Sequence, residues 1–225
     1  MLNRKQTSEL PETKRKLVDA GVLLMRAKGF HATSLDEICS NAGVTKGGFF
    51  HYFKSKDEVA MAALSRFQEG RATAFAEAPF RALVDPLDRI FGRLDFVEES
   101  SGGTSGMTKG CLIGMLAQEL SFTNAGLRNA CQEMFLRMAQ DVEHDLAEAK
   151  AVHAPKTDFD PKKLALFYVS LFQGSSMMAK SSASNSILVD NIEQFRAYLK
   201  SLFGLAAGKS ATKAGLAADV QKKKE

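Results

Sequence analysis

"TSLDEICSNAGVTKGGFFHYFKSKDE", Thr33 to Glu58, decides how the chain is read. It holds two short helical segments about one turn of glycine apart. Ser34 stands three residues before Glu37, the spacing of a capping box, and Leu35, Ile38, Cys39 and Ala42 then give an inward face. Gly43 breaks that helix, and Thr45 can cap a third one running to about Phe53. Helices of this length joined by a tight turn are the pattern of a helix-turn-helix. Phe49 and Phe53 lie four apart and share a face, so they should plug a small core, while Phe50 and Tyr52 point elsewhere.

Such a unit reads base edges with the amino-terminal end of its second helix. Thr45, Lys46, Gly47 and Gly48 occupy that end, and the glycines allow close backbone approach. Free N–H groups there favour phosphate oxygens. His51, Tyr52, Lys54 and Lys56 follow on the exit side, where contacts to phosphate are expected. Charge agrees. Residues 1–56 hold ten Lys/Arg against five Asp/Glu, and residues 57–205 hold fifteen against nineteen. Residues 206–225 hold five against two, and the whole chain of 225 residues carries a formal charge of +4. A basic end on an acidic body suits a polyanionic partner at that end. The same spacing also fits a solvated helical hairpin, so spacing alone leaves DNA binding open.

Working outward, the pattern is helical almost throughout. Leu17, Gly21, Leu24, Met25 and Lys28 follow helical spacing, ended by Gly29. Ser55 caps a fourth helix, from Lys56 to about Glu77. Asp85 and Pro86 open another, and residues 100–110 read as a loop on composition. A short buried helix follows Cys111, then a long one ends near His153, and Asp160-Pro161 opens the next. The last carries Leu188, Ile192, Phe195, Leu199 and Leu202 in a heptad-like seam that suits a partner helix. No segment alternates with period two for long. The expectation is an all-α chain of about nine helices: a DNA-binding unit over 1–56, a helical sensing and dimerisation body over 57–205, and a disordered basic tail over 206–225.

Other classes fit poorly. No signal peptide is visible and no run is long enough to span a bilayer. Three cysteines make no disulfide framework, which points to a reduced cytoplasmic setting. The four histidines show no metal-ligand spacing and no phosphate loop follows a strand, so no metal or cofactor is expected. A Cys111–His144 nucleophile and base can be imagined, but nothing brings them together. A purely structural DNA-bending protein would not need so large an acidic body.

Cys111 is the second informative position. It opens a helix, beside Lys109 and after a glycine-rich loop. The helix dipole and a nearby cation both favour thiolate, the reactive form. The plain alternative is a small buried apolar residue, which is how Cys39 and Cys131 are read. Lys180 stands on a helix with Leu171, Phe172 and Met177, where it either snorkels to solvent or serves a purpose inside.

The stretch from about Thr13 to Leu64, with "TSLDEICSNAGVTKGGFFHYFKSKDEVAMAAL" at its centre, closely resembles the DNA-binding domain of TetR-family repressors. The resemblance implies an all-helical homodimer with two reading heads on a palindromic operator in double-stranded DNA, released when an effector binds the body. It also implies that Thr33 and Ser34 touch phosphate, that Lys46, Gly47 and Gly48 face bases, and that Phe50, His51, Tyr52 and Lys56 line the backbone. The chain departs from many members at Gly48, where a hydroxyl residue is common, and at Phe50, where tyrosine is. Those hydrogen bonds are missing, which leaves the operator sequence open. "GCL" at 110–112 and "LFQGSSMMAKSS" at 171–182 resemble the electrophile-sensing branch of that family. There the resemblance implies that Cys111 is modified by electrophiles or oxidants with Lys180 close by. Relatives with the same opening instead bind small hydrophobic ligands noncovalently, so both induction modes stand. The family's last two long helices form the dimer interface, with Leu171, Ile192, Phe195 and Leu199 as candidates.

Overall fold

The computed structural model describes residues 11–104 and 110–205. The expected tail over 206–225 and Lys109 lie outside them.

The first helix, α1 (Glu12–Lys28), buries Leu17, Gly21 and Met25 and ends at Gly29, whose φ of 91° suits glycine. α2 (Leu35–Ala42) starts at Ser34, with both halves of the capping box formed to Glu37. Gly43 takes the left-handed conformation, φ 64° and ψ 35°, and returns its N–H to the carbonyls of Cys39 and Ser40. That geometry turns the chain within one residue. Thr45 then accepts from the Gly48 N–H and opens α3 (Lys46–Tyr52). α4 (Lys56–Ala76) is capped by Ser55. Its first half buries Val59, Ala60, Ala63 and Leu64 against α1, so it closes the three-helix head and carries the chain into the body. α1 and α4 touch closely at Gly21, where a Cβ would stand 2.8 Å from Val59 Cγ1.

The body holds α5 (Pro86–Ser100), α6 (Leu112–Leu120), α7 (Ala125–His153), α8 (Pro161–Ser182) and α9 (Ser186–Leu202), with a short 3-10 turn at Pro79–Ala82 before α5. Among the described residues there is no strand. α7 is the central post, packed on α5, α6 and α8, and α9 lies against α8 and α5. A polar network crosses its core. The Arg93 side chain is 1% exposed and donates to Asp141 at 2.9 Å and to Asp145 at 3.1 Å. Arg81 reaches Asp141, and Arg89 reaches Asp145 and Glu148. Removing one member of such a buried set typically costs about 3–5 kcal/mol, because the other charge is left uncompensated.

Three of the four side chains expected to meet a partner are already covered by their own chain. Ile192, Phe195 and Leu199 are buried within their own chain, Phe195 against Tyr168 with ring centroids 5.4 Å apart, and Leu171 is half-buried. A heptad-like stripe marks any helix packed on one side, and here α8 and α5 fill that side. The uncovered apolar side chains of these two helices include Leu166, Phe167 and Met178 of α8 and Tyr198 of α9. Phe167 and Tyr198 meet edge to face at 6.3 Å, bridging the two helices.

Candidate nucleic-acid interface and sensing junction

The reading head presents α3 as its sequence suggests. Phe49 is fully buried and Phe53 nearly so, their rings 5.9 Å apart in the head's core. That leaves Phe50, 55% exposed, and His51 on the outside, with Tyr52 half-buried beside them. Thr45, Lys46 and Gly47 are exposed at the helix start. Gly47 has open space where a Cβ would be, apart from Thr45 Oγ1 at 3.9 Å, whereas a Cβ at Gly48 would meet Val44 at 2.9 Å. Gly47 is thus free to approach a ligand, whereas a side chain at Gly48 would first have to displace Val44. Lys46 bonds Asp36 at 2.7 Å across the two helices. The pair is exposed, so it contributes little and yields readily to a competing anion.

Two expected phosphate contacts are corrected. Thr33 is fully buried and donates its hydroxyl to the Gly29 carbonyl at 2.7 Å, so it cannot reach a phosphate. Lys56 donates to the carbonyls of Phe30 and Thr33 at 2.9 and 2.8 Å, with its ammonium 4.1 Å from the Phe30 ring centroid. It staples the turn between α1 and α2 to the start of α4. Ser34 remains exposed at the start of α2.

Cys111 is the N-cap residue of α6 and half-exposed, while Cys39 and Cys131 are buried. Burial raises both of those thiols, Cys131 to about 11, which suppresses their thiolate. Gln173 donates to the Cys111 sulfur at 3.5 Å, and glycine at position 114 makes room, since a Cβ there would stand 2.6 Å from Gln173 Oε1. Cys111 and Lys180 line one cleft of about 220 Å³, together with Gly114, Met115, Gln173 and Met177. The family resemblance implied that these two residues are neighbours, and both line this cleft. Lys180 donates to the Arg26 carbonyl at 2.9 Å and touches Met115 Sδ at 3.4 Å. Burial lowers its pKa, opposed by Glu119 and aided by Arg26.

Sequence reasoning missed how this cleft is joined to the head. Arg26, in the last turn of α1, donates from Nε and Nη2 to the Gly110 carbonyl at 3.2 and 3.1 Å. At the other end of α6, Glu119 accepts the N–H groups of Phe30 and His31 at 3.1 and 2.9 Å. α6 is therefore tied to the head at both ends. Nothing in local spacing marks Arg26 or Glu119, because their partners lie more than 80 residues away in the chain.

Comparison with known proteins accounts for both halves. Residues 17–63 match the family described as "Bacterial regulatory proteins, tetR family", and residues 95–194 match the "Transcriptional regulator LmrA/YxaF-like, C-terminal domain". The chain belongs to the TetR family. It is a DNA-binding transcriptional regulator of the helix-turn-helix type. It is 28% identical to the transcriptional regulator AcuR of Cereibacter sphaeroides over 168 residues, 74% of this chain and 75% of that one. It is 24% identical to the transcriptional repressor NemR of Escherichia coli over 198 residues, 87% and 96% of the two chains. The reduced form of Escherichia coli NemR superposes with a TM-score of 0.68 at 25% identity, covering 85% of this chain and 98% of that one. Among the described residues no helix of this regulator is long and apolar enough to cross a membrane.

Proposed function

We propose that the protein is a homodimeric repressor of a palindromic operator, acting in the cytoplasm without catalysis, and that modification of Cys111 by a soft electrophile or oxidant releases it. Ser34, Thr45, Lys46, Gly47, Phe50, His51 and Tyr52 form the reading surface. The observation that carries the switch is the double tether of α6. Cys111 opens this helix, and both its ends are bonded to the head, through Arg26 and Glu119. With a Michaelis acceptor the thiolate adds to the alkene, a carbon–sulfur bond replaces the π bond, and the adjacent carbon takes a proton from water. The adduct enlarges a side chain in a cleft of about 220 Å³ and pushes on the Gly110–Cys111 corner. Moving that corner tilts α1 and with it the head, and in a dimer the spacing of two heads sets operator affinity. Lys180 lines the same cleft, and its pairing with the thiolate is part of this reading. The dimer face is the uncovered side of α8 and α9.

The test is operator release by N-ethylmaleimide and by hypochlorite, followed by fluorescence anisotropy, with adducts mapped by mass spectrometry. The wild type should release with the adduct on Cys111, and Cys111→Ser should stay bound. Release of Cys111→Ser at the wild-type dose overturns the covalent reading.

A further inference from the structure

A second, larger cleft of about 500 Å³ lies between α1 and α4, lined by Val22, Leu23 and Phe67 and by the guanidinium groups of Arg26, Arg66 and Arg71. Among the described residues its lining holds one acid, Asp19, which Arg66 already binds at 3.3 Å. Arg26 bonds a carbonyl, not a carboxylate. Arg71 makes no hydrogen bond or ion pair with any described residue and rests over the Phe75 ring at 4.3 Å. Burial lowers the pKa of both Arg26 and Arg71, opposed at both by Cys111 and at Arg71 also by Tyr168 and Asp141. Gly70, inside α4, has nothing within 4 Å of where a Cβ would stand. A glycine inside a helix weakens it, and no protein neighbour requires this one.

We propose that this cleft binds a small amphiphilic carboxylate, its anion held by Arg71 and Arg26 and its apolar part against Val22, Leu23 and Phe67 over Gly70. The chemistry fits each part. The planar fork of arginine matches a carboxylate's two oxygens, and the pairing is strongest where water is scarce. An anion there competes with the Gly110 carbonyl for Arg26, so it acts on the same tether as Cys111 without needing the thiol.

The experiment is calorimetry and thermal unfolding of the full chain with sodium benzoate and sodium hexanoate. The matched neutral amides and sodium sulfate serve as controls. The carboxylates should bind saturably and raise Tm, and benzamide and hexanamide should not. Arg71→Met, which removes the guanidinium that rests over Phe75, should weaken benzoate at least about tenfold. Gly70→Leu should do the same by filling the floor while leaving Tm equal or higher, and it decides the matter if Arg71→Met fails to fold. Cys111→Ser should bind benzoate like the wild type, so this site and the covalent switch stand or fall separately. The proposal is overturned if the wild type shows no carboxylate binding, if the amides or sulfate match benzoate, or if Gly70→Leu and a folded Arg71→Met bind benzoate as tightly as the wild type.

Discussion

Arg26 of the reading head and Gly110 of the body are joined by two hydrogen bonds from one guanidinium to one carbonyl, 84 residues apart in sequence. The bond lies next to Cys111, so it is where a change in the body first reaches α1. Arg26→Met removes the guanidinium that makes the tether and that rests 5.0 Å over the Phe67 ring. At an equal yield of Cys111 adduct with N-ethylmaleimide, this variant should lose most of the operator release that follows. Adduct formation by mass spectrometry and DNA release by anisotropy separate the two steps. Full release in Arg26→Met would show that the signal travels elsewhere.

Glu119 holds the other end of α6. Its carboxylate satisfies two main-chain N–H groups at the turn that leads into α2. Hydrogen bonds to a charged group are worth about 1.5–3 kcal/mol each. Glu119→Ala should lower stability by about 2 kcal/mol and also weaken operator binding, since the turn positions α2 and α3. Denaturant unfolding beside an operator titration measures both. An unchanged operator affinity at lowered stability would confine Glu119 to scaffolding.

Lys56 was expected beside phosphate and is instead bound to two carbonyls of the α1–α2 turn. Lys56→Met should therefore lower stability by about 1–3 kcal/mol. It should leave the salt dependence of DNA binding unchanged, whereas loss of a true phosphate contact flattens the slope by about 0.9. Lys46→Ala, at the exposed end of α3, should reduce specific binding. A flattened slope in Lys56→Met would restore the original expectation.

These residues also show what a sequence can and cannot say. The caps at Ser34, Thr45, Ser55, Asp85 and Asp160 were legible because each acts on N–H groups two or three residues away. The inward pair Phe49 and Phe53 was legible because helical spacing fixes their common face. Lys56 and Thr33 were misread because main-chain carbonyls that attract a side chain leave no trace in composition. The α9 stripe was read as intermolecular because periodicity tells which face is covered, not by what. Arg26, Glu119 and Arg71 went unseen because their meaning comes from tertiary neighbours or from the lack of one.

Glu37 gives the head a defined response to acid. Its carboxylate is held at about 2, well under the ordinary value of 4.5, chiefly by Lys28 and then by the backbone and hydroxyl of Ser34. A carboxylate whose folded pKa is depressed stabilises the fold fully above its unfolded value and loses that contribution as pH falls through the folded one. The α2 cap should therefore be intact above about pH 4.5 and weaken steadily toward pH 2. Carboxyl carbon NMR of Glu37 reads this directly. Lys28→Met should move its midpoint upward, and a midpoint near 4.5 in the wild type would remove the proposed clamp.

The aromatic rings that one chain already covers decide which face is left for a partner. Phe195 is buried against Tyr168 inside one chain, so Phe195→Asp should unfold the body before it reports on association. Phe167 and Tyr198 lie on the uncovered face of α8 and α9, close to half exposed, with Met178 further along α8. Exposed apolar faces of this kind mark association sites. The double variant Phe167→Asp, Tyr198→Asp should keep its helical content and thermal unfolding while shifting to monomer in sedimentation. Operator affinity should fall by at least about a hundredfold, because two heads no longer bind as one unit. A variant that stays dimeric would place the interface elsewhere, and a folded monomer that still binds the full operator tightly would remove the need for a dimer.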